Sequence, residues 1–134
     1  MQPLIEMVRE WVRKAEDDLR SAQVLLSASP PVLWAAAFHV QQSVEKFLKA
    51  LLTFHRTEFE KFHEIDYLLD LAYAFEPQVE RFRGTATKLT DYAVETRYPF
   101  PEQEPTEADV LAAIQIGREV REFVLERLPA DIGK

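Results

Sequence analysis

Between Ala37 and Phe54 the chain carries an apolar pattern that suits a buried helix. At about 100° per residue, Ala37, Val40, Val44, Phe47, Leu48, Leu51 and Phe54 fall on one side. His39, Gln42, Glu45, Lys46 and Lys49 gather opposite them, with Gln41 near the edge of the apolar arc. A helix of this kind buries one flank in a bundle. Its other flank is either a solvated stripe or a ligand surface. Glu45 to Lys49 and Gln42 to Lys46 are i,i+4 neighbours, and such pairs contribute only about 0.2–0.5 kcal/mol each on a solvated face. Spacing alone leaves both readings open for Gln42, Glu45, Lys46 and Lys49.

The same three-four periodicity recurs along the chain, and no segment alternates as a strand would. Ile5, Val8, Val12, Ala15, Leu19, Ala22 and Leu26 describe a long first helix, with Pro3 in its first turn and Ser29-Pro30-Pro31 ending it. The second helix is expected from about Val32 to Arg56, and a short third one from about His63 to Ala74. A fourth starts at Pro77 and repeats on Val79, Phe82, Ala86, Leu89 and Ala93. Gly84 inside it marks a close contact or a bend. Arg97 to Pro105 holds three of the eight prolines and is not regular helix. Thr106 reads as an N-cap, with Glu107 and Asp109 in the first turn of a last helix on Val110, Ala113, Gly117, Val120 and Val124. Short links between long helices predict an all-α chain: one domain over residues 1–134, an up-down antiparallel four-helix bundle with one short extra helix.

Composition narrows the function classes. With 16 basic and 23 acidic residues the net charge is −7, and no segment clusters positive charge, so a duplex-DNA surface is not expected. A small phosphate-bearing ligand or one short RNA strand in a local pocket remains compatible. No apolar run approaches the roughly 18 residues of a membrane span, the start of the chain does not read as a secretory signal, and cysteine is absent. A cytoplasmic protein without disulfides is the expectation. His39, His55 and His63 are not spaced as metal ligands, and only three glycines are present, none in a phosphate-cradling loop. No cofactor is expected. Arg97 and Tyr98 stand before Pro99 and Pro101. There a fixed guanidinium can take a phosphate bidentately, or the pair can form a packing corner with Arg97 held by Glu95 or Asp91.

Four blocks taken in order resemble the HEPN domain family. They are Trp11, Ala15, Asp18-Leu19, Ala22 and Leu25-Leu26; Phe38-His39-Val40-Gln41-Gln42 continuing through Glu45-Lys46 and Leu48-Lys49-Ala50 to Leu52; His63 with Leu68-Leu69; and Tyr92 with Thr96-Arg97-Tyr98-Pro99. The resemblance runs from about Trp11 to the last helix. It implies a stand-alone HEPN protein of the kind encoded beside a minimal nucleotidyltransferase, acting as a nucleotide-binding or partner subunit or as the toxin of a toxin–antitoxin pair. Gln42, Glu45, Lys46, Lys49, Arg97 and Tyr98 are then the ligand-binding candidates. Ribonuclease members of the superfamily carry an Arg and a His separated by four to six residues, used without a metal. Arg56 and His63 satisfy that spacing, although Thr57 follows the arginine where those enzymes carry Asn, Asp or His. Weak or absent ribonuclease activity is expected, because the helix should end between the two. The resemblance also implies a homodimer, and Leu4, Trp11 and Leu25 widen the apolar arc of the first helix beyond its main seam.

Overall fold

The computed structural model describes residues 2–60, 64–90 and 104–132. Helix α1 spans Gln2–Ser27, α2 Leu33–Phe54 and α3 Ile65–Tyr73. A 3-10 segment over Pro77–Phe82 runs into a single α-helical turn, α4, at Arg83–Ala86. Helix α5 covers Glu107–Glu126. No strand occurs among the described residues, and the all-α expectation holds. Among the described residues, no helix is long and apolar enough to cross a membrane.

Contacts across the helices set their directions. Lys49 lies over the Trp11 ring, His39 meets Asp18 at 2.9 Å, and the Val32 amide donates to the Leu25 carbonyl at 3.0 Å. Residue numbers rise on α1 as they fall on α2, so the pair is antiparallel. Arg121 meets Glu16 at 2.6 Å and Asp131 meets Arg9 at 2.7 Å, which makes α5 antiparallel to α1 and parallel to α2. Helix α2 is central: it packs on α1, α3 and α5. Twelve of its 22 residues are buried, so its apolar arc is wider than one neighbour could cover. Gly117 makes the approach of α5 possible. A β-carbon there would come within 3.0 Å of Leu19 Cδ1 and 3.3 Å of Val40 Cγ1.

The ends follow local chemistry. Thr106 and Asp109 form a reciprocal capping box at the start of α5: Asp109 N–H donates to Thr106 Oγ1 at 3.1 Å, and Thr106 N–H to Asp109 Oδ2 at 2.9 Å. The fourth helix departs from the sequence expectation. Val79, Phe82, Ala86 and Leu89 are all buried as the three-four pattern requires, yet the backbone begins as a 3-10 helix. Side-chain anchoring accompanies this tighter path. Arg83 binds Glu80 in its own segment and reaches across to Asp66 at 3.2 Å and Asp70 at 2.8 Å on α3. Those carboxylates hold the guanidinium charged well beyond its ordinary range, the hydrogen bond to Glu80 contributing most. Gly84 meets nothing within 4 Å of where a β-carbon would stand, so it marks no close contact. Ala93 lies outside the described residues.

Candidate functional site

Packing half-buries the polar stripe of α2. His39, Gln42, Glu45, Lys46 and Lys49 are all half-buried, and Trp34 is the one exposed residue of α2, at 51%. The stripe runs along the flank of α1 that carries Trp11 and Asp18. Neither a freely solvated face nor an open binding surface describes it.

Asp18 organises the upper end. Its carboxylate, only 13% exposed, accepts from Lys46 Nζ at 2.5 Å and contacts His39 Nδ1 at 2.9 Å through the other oxygen. Lys46 is therefore already committed to a carboxylate. Sequence reading had named Asp18 within the family resemblance but had given it no role in the site. A signal was available: Asp18 lies three residues after Ala15 and four before Ala22, on the flank of the buried seam of α1. Beside it, Gln42 Nε2 donates to Gln41 Oε1 at 2.9 Å, and the Gln41 side chain is buried.

Lys49 is held differently. Its ammonium lies 5.3 Å from the centroid of the Trp11 ring and 5.8 Å from that of Phe59, within cation–π range of both. The two rings face each other at 6.2 Å with a 60° tilt, Trp11 coming from α1 and Phe59 from the segment after α2. Burial pushes the Lys49 ammonium toward its neutral form, against the pull of Glu45 and with added repulsion from Lys46. Burial also pushes the Glu45 carboxyl up, against Lys49, a hydrogen bond from Gln41, and Lys46. One turn of α2 thus holds an acid and a base that are both driven toward neutrality. Opposed shifts of this kind concentrate at functional sites.

Arg56 stands at the far end of α2 in the left-handed region, φ 56°. The Thr57 amide donates to the Leu52 carbonyl at 2.9 Å, and the Arg56 amide to Thr53 at 3.0 Å. This is the Schellman pair, which usually places glycine where Arg56 sits. His55 beside it stacks on Phe75, ring centroids 3.8 Å apart at 19°, and is a packing residue. His63, Arg97 and Tyr98 lie outside the described residues. The structure therefore groups Gln42, Glu45, Lys46 and Lys49 along one half-buried stripe and puts Arg56 beyond the end of α2. No cluster of three or more His, Cys, Asp or Glu that could hold a metal occurs among the described residues.

Among the described residues, α1 clasped to a central α2 with a half-buried charged stripe between them defines a small helical domain. The HEPN domain model matches residues 8–128, nearly the whole chain, and the protein belongs to the HEPN domain family. Searches of curated proteins and of solved structures found no match.

Proposed function

We propose that this HEPN domain is a binding subunit whose ligand is a nucleotide or the end of a short RNA, received along the half-buried stripe between α1 and α2. The observation that carries the reading is Lys49: an ammonium resting on two aromatic rings, with no direct carboxylate partner among the described residues. A phosphate can draw that ammonium off the rings, and the Trp11 face it leaves then offers a base the stacking that is sequence-tolerant in single-strand binders. Gln42 adds an amide at the rim. Lys46 is assigned a different role from the one its position in the sequence suggested. It neutralises Asp18, and replacing it with alanine is expected to destabilise the fold by leaving that carboxylate half-buried with His39 as its one remaining partner among the described residues. Family membership supports a place beside a minimal nucleotidyltransferase, in a toxin–antitoxin arrangement, and co-purification with such an enzyme tests the pairing.

Calorimetric titration with mononucleotides tests the site itself. Lys49→Ala is expected to lose about 1.5–3 kcal/mol of affinity, the scale of a charge-assisted hydrogen bond, without loss of helicity. Because burial pushes the Lys49 ammonium toward its neutral form, wild-type binding should weaken with rising pH below the range of an ordinary lysine. Lys49→Arg should bind without that alkaline limb. Equal affinity in wild type and Lys49→Ala for every nucleotide that binds would sink the reading.

A second reading, a metal-independent ribonuclease using Arg56 and His63, draws on one observation. Arg56 occupies a backbone position where glycine is cheaper. Backbone strain kept at a cationic residue is a reason to ask what the side chain does. Cleavage of RNA by the purified protein, lost in Arg56→Gly, would support it; no cleavage by the wild type ends it.

A further inference from the structure

We infer that the furrow between α1 and α5 is a second ligand site, one that takes an organic phosphate: a dianionic head on a flat apolar body. The furrow encloses about 410 Å³ and lies on a different flank of α1 from the α2 stripe, since Glu16, Arg20 and Gln23 turn away from Trp11 and Asp18. It is independent of the reading given for Lys49.

Antiparallel pairing of the two helices orders its chemistry along the axis. At one end Glu16 accepts from Arg121 Nε at 2.6 Å, leaving the two terminal nitrogens of that guanidinium without a recorded acceptor among the described residues. In the middle Arg20 and Arg118 line the furrow from opposite helices. Asp17 holds Arg20 at 3.2 Å and is itself shared with Arg13 at 3.3 Å. Arg118 has no carboxylate partner among the described residues. Two of the three acids that line the furrow are thus already engaged with arginine. Glu122 remains, beside Arg121 at the far end from Gln23.

Beyond Arg20 and Gln23 the furrow continues into a hollow of about 480 Å³ lined also by Val24, Ser27 and Ala28. Val24 is 64% exposed there, an aliphatic side chain that no part of the described fold covers. Planar guanidiniums bind a phosphate through paired N–H donors; with Arg20 already held by Asp17, the open donors are Arg118 and the terminal nitrogens of Arg121, one turn apart on α5. A flat apolar body on the same molecule would lie over Val24. The site therefore selects head and body together.

Phenyl phosphate is the simplest probe with both parts, and isothermal titration compares it with inorganic phosphate and with benzoate. Phenyl phosphate is expected to bind most tightly, with affinity falling as salt rises. Arg118→Gln should weaken it about tenfold or more, the cost of one charge-assisted contact. Arg118 is exposed and unpaired, so that substitution should leave the melting temperature unchanged. Val24→Asp should remove the preference for phenyl phosphate over inorganic phosphate. Benzoate binding as tightly as phenyl phosphate, or phenyl phosphate binding that Arg118→Gln leaves intact, would overturn the proposal.

Discussion

Arg56 shows how one residue reports on a conflict between backbone and side chain. The end of α2 needs a left-handed residue to close its two capping hydrogen bonds, and a side chain there costs roughly 1 kcal/mol relative to glycine. Arg56→Gly is therefore expected to raise stability in chemical denaturation by up to about 1 kcal/mol. A destabilised variant would mean that the side chain contributes more to folding than its backbone conformation costs. Lys46 and Lys49 make the complementary point. They sit three positions apart on one stripe, yet Lys46 is consumed by Asp18 while Lys49 lies on aromatic rings. Spacing along α2 grouped them. Their partners come from α1 and from the segment after α2, so only packing could tell the two lysines apart.

At the scale of the element, the apolar repeats located α1, α2, α3 and α5 closely. The reason is that each repeat is long enough to bury a stripe against more than one neighbour. The fourth segment was read correctly in its buried residues and differently in its backbone. A three-four pattern over a few residues suits a 3-10 turn almost as well as an α-helix, and the Arg83 anchor to α3 is a long-range contact. Two glycines read alike in sequence and behave differently in space. Gly84 has open space around it, whereas Gly117 is the point where α5 presses on Leu19 and Val40. Gly117→Val is accordingly expected to destabilise by about 1–3 kcal/mol, because its first added carbon already meets the limit of contact. Thermal unfolding checks this, and an unchanged midpoint would show that α5 can shift outward freely.

For the whole molecule, the apolar surface left over is smaller than the first helix suggested. Leu4, Trp11 and Leu25 are all half-buried, and Trp11 is covered by Phe59 and Lys49. Among the described residues, the large apolar side chains that remain exposed are Met7, Val24, Trp34, Tyr73 and Leu111. A homodimer remains our proposal, supported by family membership, and these residues are where its interface should be sought. Sedimentation at micromolar concentration is expected to give a species of twice 15.6 kDa. A monomer would remove the proposal and leave the exposed residues scattered, as is usual on soluble surfaces.

Taken by itself, the sequence determined the helical class, the family, the burial of α2, the N-cap at Thr106 and the bury-or-expose pattern of nearly every repeat. Each of these depends on residues close together in the chain or on a periodicity that one helix carries alone. The tertiary structure decided which lysine of the α2 stripe stays available, what Asp18 does, why Gly117 and not Gly84 must be small, and that α1 and α5 enclose a furrow. Those properties arise from side chains that packing brings together across as many as 122 positions, as for Arg9 and Asp131. A contact of that range leaves no periodic mark in the sequence, because its energy depends on where two separate segments meet.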